Sequence, residues 1–260
     1  SKNLINVDNL LEIDKYAIIK TNELQKDLRT NFSRYEFHPI VAKIQNFCSE
    51  YLGGFYLDIL KDRLYTTKID SFERRSGQSS IWHITKSLLI LIAPILTFTA
   101  EEAWKFFLNE NDYEKSGETI FTQEFYSLPQ ISNAQSINNK FNAIRNIRNS
   151  ITKELEKLRI SGDIGSSLQA EIEIYAFGEK FNLLKSLGNE LKFILITSEA
   201  IVTKVDNKNE EKIIITPSNY PKCSRCWHYQ PDVNLNQQYE NLCGRCISNL
   251  FGKGEKREIA

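Results

Sequence analysis

Cys223-Ser-Arg-Cys226 and Cys243-Gly-Arg-Cys246 form two C-x-x-C knuckles with sixteen residues between them. Each turn offers two thiolates on one side, and two turns complete a tetrahedron, which is the ligand pattern of a zinc site. A closed four-sulfur shell leaves no open coordination position, so the expected chemistry is folding and not catalysis. The alternatives are two disulfides or a redox dithiol, which suit a secreted chain or an oxidoreductase. His228 could replace one sulfur, although four thiolates already fill the shell. The stretch between the knuckles is polar and turn-rich, and so small a unit needs a staple to fold.

The knuckles carry cations and a ring. Arg225 and Arg245 occupy equivalent slots, Lys222 precedes the first knuckle, and Trp227 and His228 follow it. An aromatic ring stacks on an unpaired base while arginines hold phosphate or a base edge, so one reading is a site for single-stranded nucleic acid. The other is that the cations offset the surplus negative charge of a four-thiolate zinc site and Trp227 packs the small core. Spacing alone leaves both open.

The elements that position these residues read mainly as helices. Residues 8–35 and 37–60 carry apolar stripes at spacings of three and four, the second interrupted by Gly53-Gly54. A glycine pair in a regular stripe suggests a kink or a close helix crossing. On this stripe Cys48 reads as a small buried hydrophobe. Residues 79–91 form another apolar-faced helix that Pro94 ends or restarts, followed by a helix start at Thr99-Ala-Glu-Glu102. Long helices with short turns imply an antiparallel bundle, with Trp82 and Trp104 in its core.

Residues 109–135 are polar and broken by Gly117 and Pro129, which marks a connector. Residues 137–160 are helical and carry Arg145 and Arg148 on one face, and Lys153 and Lys157 on another. Such a ridge either contacts phosphates or is a solvated face partly neutralised by Glu154 and Glu156. Alternation makes residues 171–177 a strand, residues 179–191 a helix, and residues 192–196, 200–205 and 212–216 strands, the last two joined by a charged hairpin. The chain thus divides into 1–130, 131–216 and 217–260: a helical bundle, a helix with a small mixed α/β unit, and a zinc module.

Composition bounds the partners. The 33 basic and 33 acidic residues cancel, so any nucleic-acid contact is local. Five cysteines, four of them in knuckles, fit a reducing cytoplasm. The longest apolar run, 88–96, is too short to span a bilayer, so no membrane is expected. The absence of methionine, even at position 1, reads as a piece of a longer protein.

Several strings together resemble one family. Pro221-Lys-Cys-Ser-Arg-Cys-Trp-His-Tyr229, Leu242-Cys-Gly-Arg-Cys-Ile-Ser-Asn-Leu250 and the ending Gly254-Glu-Lys-Arg-Glu-Ile-Ala260 look like the C-terminus of bacterial isoleucyl-tRNA synthetases. Tyr35-Glu-Phe-His38, Phe47-Cys48, Phe55-Tyr-Leu-Asp-Ile-Leu-Lys-Asp-Arg-Leu-Tyr65 and Gly165-Ser-Ser-Leu168 resemble that family's helical domain and its junction. The leucyl, valyl and methionyl enzymes share a related bundle, so the zinc tail is what separates them.

The resemblance implies a mostly α fold of the class I synthetase anticodon-binding type, with a small α/β junction domain and a four-cysteine zinc-ribbon module. It implies one structural zinc on Cys223, Cys226, Cys243 and Cys246. The partners implied are the anticodon stem and loop of the isoleucine tRNA and the catalytic domain of the same polypeptide, in a cytoplasmic monomer. ATP and magnesium belong to that catalytic domain, and both of its ATP-binding signatures, His-x-Gly-His and Lys-Met-Ser-Lys-Ser, are absent here. The expected RNA contacts are Trp227, Arg225, Arg245, Lys222, His228, Arg145 and Arg148. Competing readings are a non-enzymatic zinc-ribbon adaptor for a protein or RNA, and a stand-alone RNA-binding protein.

Overall fold

The computed structural model describes residues 3–109, 113–115 and 117–260. α1 (Glu12–Ser33) and α2 (Phe37–Asn46) are joined at Tyr35, whose φ of 58° turns the chain sharply. α2 runs without a break through a π-helical stretch (Phe47–Leu57) into α3 (Asp58–Thr66). The wider turn accommodates the glycine pair, because a Cβ on Gly53 would lie 3.2 Å from the Cys48 carbonyl oxygen. It also shifts the stripe's register, so Cys48 is exposed and not buried as its spacing suggested.

α4 (Phe72–Ile92) begins well before residue 79, with the Ser71 hydroxyl accepting from the Arg74 amide at 3.2 Å. Periodicity missed this first half because its buried residues, Glu73, Ser76 and Gly77, are not apolar side chains. The Ser76 hydroxyl donates to Asp14 at 2.5 Å, and Ser80 donates to the Asp14 carbonyl at 3.1 Å. Asp14 also accepts from Tyr56 (2.8 Å) and Arg63 (2.5 Å), so one buried carboxylate ties α1, the π-helical stretch, α3 and α4. Pro94 then separates α4 from α5 (Thr97–Leu108), which buries Trp104, whereas Trp82 is only half-buried.

The long α6 (Ala134–Ser161) packs beside α1 and carries the junction. Gly162, with φ 84°, closes it in the left-handed cap that glycine favours, and the Asp163 amide returns to the Leu158 carbonyl. Then come β1 (Ala170–Ala176), α7 (Gly178–Lys185), the short α8 (Leu191–Leu195), β2 (Glu199–Lys204) and β3 (Lys212–Pro217). Residues 192–196, expected as a strand, belong mostly to α8, since a short buried apolar run has no period to separate the two states.

The expected β2–β3 hairpin is likewise absent: β1 lies in the middle, parallel to β2 and antiparallel to β3. Ile172 pairs with Ala200 on one side and Ile215 on the other. β1 presents Ile172 and Ile174 to a core shared with α1, the π-helical stretch and α6. Tyr16, Phe55, Ile144, Ile172, Leu195 and Ala260 lie in that one cluster, so residues from all three expected segments share a core. The tail reaches it by pairing with the start of α1, where the Ile13 amide donates to the Ile259 carbonyl at 2.9 Å.

Candidate metal centre and nucleic-acid interface

The first knuckle is a tight hairpin. Lys222 bridges Tyr229, the Cys223 amide donates to the His228 carbonyl at 2.9 Å, and the Trp227 amide closes the turn on the Cys223 carbonyl at 2.9 Å. The second knuckle opens α9 (Gly244–Phe251). Asp232 holds it by accepting from the Gly244 amide at 2.7 Å, and a Cβ at residue 244 would sit 2.7 Å from that carboxylate oxygen and push it aside. Ser224 joins the knuckles through the Asn241 carbonyl.

The four cysteine sulfurs are buried and lie within 4.8 Å of one another, and Cys226 Sγ is 3.7 Å from Cys243 Sγ. Zinc–sulfur bonds of about 2.3 Å at tetrahedral angles put sulfurs about 3.8 Å apart, so the donor set fits the metal. A further sign is the Cys243 amide, which donates to Cys223 Sγ at 3.4 Å and so favours a thiolate there. Hydrogen bonding from Cys226 draws the Cys223 thiol down, and donation to Cys223 pushes Cys246 up. His228 stands apart: it is buried, its ring edge meets Phe193, and Nε2 is 3.7 Å from Asp62.

The module sits on α3. Arg245 grips the Asp62 carboxylate through two bonds of 2.8 Å and reaches Glu255 at 3.2 Å. Arg257 bonds to the same Asp62 and to Glu255, with its guanidinium 3.6 Å from the centre of the Phe193 ring. Arg225 donates to the carbonyls of Thr66 (2.5 Å) and Tyr65 (3.2 Å), which α3 leaves open at its end. Burial works against a charged Asp62, but Arg245, His228 and Arg257 outweigh it and hold the carboxyl well below the usual range.

These positions redistribute the expected contacts. The Arg245 guanidinium is engaged inside the protein, as is that of Arg148, which donates to the Gly54 carbonyl (2.9 Å) and Asp58 (3.0 Å). Arg148 thus helps pack the bundle, meeting a carbonyl of the π-helical stretch. Arg145 is half-buried over the rings of Tyr51 and Phe55. Trp227 is different. It is 59% exposed, with φ 66°, and Lys222 Nζ lies 5.3 Å from its ring centre. The ring stands at the rim of a cleft of about 680 Å³ lined by Tyr65, Thr66, Arg148, Ser167 and Phe193. Asp62, Glu255 and Arg257 escaped the sequence reading; a pair of knuckle arginines signals a need for a carboxylate without saying which one supplies it.

Residues 14–174 match the family described as the anticodon-binding domain of tRNA ligase. The chain belongs to that family. Residues 221–249 match a second, described as a zinc finger found in FPG and IleRS, so a structural zinc is part of this fold and the four cysteines are the ligands the geometry offers. Among similar proteins are isoleucine–tRNA ligases of Janthinobacterium sp. (strain Marseille), 54% identical over all of this chain and 27% of the relative, and of Paraburkholderia xenovorans (strain LB400), 52% identical over 98% of this chain and 26% of the relative. A third, from Burkholderia cenocepacia (strain HI2424), is 48% identical over the full chain and 27% of the relative. The chain thus spans about a quarter of the length of the curated relatives it matches. Among the described residues, no helix of this anticodon-binding domain is long and apolar enough to cross a membrane.

Proposed function

We propose that this chain is the tRNA-gripping part of an isoleucine–tRNA ligase, which takes the anticodon stem along its helical bundle and the anticodon loop at the zinc module. The whole enzyme would join isoleucine to its tRNA with ATP and magnesium in a catalytic domain, as a cytoplasmic monomer, and this stretch would contribute binding and no catalysis. When bound, zinc supplies rigidity: Cys223, Cys226, Cys243 and Cys246 would hold it and so fix the two knuckles.

The observation that carries the reading is Trp227. A bulky residue in the left-handed region costs about 1–3 kcal/mol of strain, and here the ring so held faces solvent beside a cation. That is a platform for one unpaired base, with Lys222 toward the phosphate. Arg225, Arg245 and His228 tie the knuckle to α3, and Arg148 lines the same cleft as the ring.

The test is binding of an isoleucine anticodon stem-loop. Trp227→Ala lowers affinity by about 1–3 kcal/mol, the value of one base stack, with zinc content and helicity unchanged. Parent affinity falls steeply with added salt as phosphate contacts are screened. Equal binding by Trp227→Ala removes the base-stacking assignment. Absence of any salt-dependent RNA binding favours a protein partner.

A further inference from the structure

We infer that Asp62 is the positioning residue for Trp227: a carboxylate on the bundle that sets the orientation of the RNA-facing knuckle through the arginines of the zinc module. The inference rests on the proposed RNA reading for its function, and on the geometry alone for its mechanics.

The module has little apolar surface with which to dock. Its buried cluster is the four cysteines and Val233, with Leu242 partly buried against them. Beside the tail's pairing with α1 and the contacts of Tyr229 and Gln230 with Ser198, its side-chain ties to the bundle converge on one carboxylate. Arg245 comes from the second knuckle, Arg257 from the tail and His228 from the first knuckle, and all three face Asp62. Arg225 adds a fourth tie one helical turn further on, at Thr66 and Tyr65.

The charges make this arrangement specific. Four thiolates around a divalent ion would leave two negative charges, which favour a cation such as Arg245 in the second knuckle, and its guanidinium still has donors to share. Asp62 accepts from Arg245 in a fork, and such bidentate pairs fix direction as well as distance. Arg257 and Arg245 both lie over the Phe193 ring, which closes the socket from the junction side. Trp227 follows directly on Arg225-Cys226 and is held by His228 on its other side. Its ring therefore points where the socket sends it.

Asp62 is an anion, so it has no reason to touch RNA itself, and Arg257 is only 1% exposed on its side chain. Either substitution reads positioning and not contact. The experiment compares the full chain with Asp62→Asn, Arg257→Gln, Trp227→Ala and the double variant Asp62→Asn/Trp227→Ala. Zinc per chain, affinity for the anticodon stem-loop and hydrogen exchange of amides 223–229 are measured for each.

The expected result is one zinc in every variant and a loss of roughly 5- to 150-fold in affinity for Asp62→Asn, the range of one base stack. The double variant should bind no more weakly than Trp227→Ala alone, because the carboxylate acts through that ring. Losses that multiply in the double variant overturn the inference, as does parental affinity in Asp62→Asn. Loss of zinc in both Asp62→Asn and Arg257→Gln also overturns it, since the contacts would then maintain the metal site. If the parent itself binds no stem-loop, the RNA reading fails. Hydrogen exchange then decides the mechanics: faster exchange of amides 223–229 in zinc-loaded Asp62→Asn upholds the socket, and unchanged exchange refutes it.

Discussion

The helical bundle and the zinc module solve opposite problems with opposite means. The bundle buries large side chains such as Tyr16, Tyr56, Phe141 and Leu28 and sets one polar hub, Asp14, among them. The module's own buried cluster is little more than its cysteines, so it relies on a metal inside and on ties to its neighbours outside, Asp62 among them. One region carries its order in its own apolar contacts; the other borrows order from an ion and from its neighbour. A recognition surface is easier to keep polar and open when its rigidity comes from elsewhere.

Removing the metal should break that contrast most strongly. Zinc in finger-like peptides contributes about 10–16 kcal/mol of apparent binding free energy at neutral pH, which is also folding free energy. Chelation is expected to release amides 223–251 to fast hydrogen exchange while far-UV circular dichroism stays nearly parental, because the module holds one eight-residue helix. Collapse of the whole helical signal would show that the bundle depends on the module.

The mirror-image test is Phe141→Ala. Its ring is fully buried and stacks on Tyr16 at 5.1 Å. Truncation should cost about 3–5 kcal/mol in denaturant unfolding, with zinc stoichiometry unchanged. Acid should separate the regions more gently. A carboxyl held as low as Asp62 contributes stability that is present above about pH 4, the unfolded value, and is lost only as pH falls through its lower folded value. Metal thiolates take up protons and release zinc on acidification. In a pH titration read by a zinc indicator and circular dichroism, metal release should come at higher pH than helix loss. The smallest effect belongs to the surface: Arg159→Gln breaks a solvent-exposed pair with Glu156 and should leave the melting temperature unchanged.

The two regions were also legible in the sequence for different reasons. Periodic stripes revealed α1, α2, α3 and α6, and cysteine spacing revealed the ligand set, because each is a local pattern. The first half of α4 was hidden because its buried face holds Ser76, a polar residue whose partner Asp14 lies far away in sequence. The strand order was hidden because β2 and β3 are neighbours in sequence yet both pair with β1. At the site, stacking chemistry offered Trp227 as a base platform and packing of the small core as the alternative, and its exposure sets it apart from the arginines beside it. Those arginines carry the right chemistry for RNA, but their carboxylate and carbonyl partners on α3 are fixed only by tertiary structure.

The tail has a consequence for how the chain is made. Glu190 accepts from the successive amides of Glu258, Ile259 and Ala260, at 2.9, 3.0 and 2.8 Å, and seats them under the start of α1. The first helix is thus completed by residues that a ribosome adds some 250 positions later. Closing so large a loop carries little more entropy than closing one half its size, but it cannot begin until synthesis has passed the zinc knuckles. Until then the newborn bundle would expose the apolar face around Ile13, a surface for chaperones to cover.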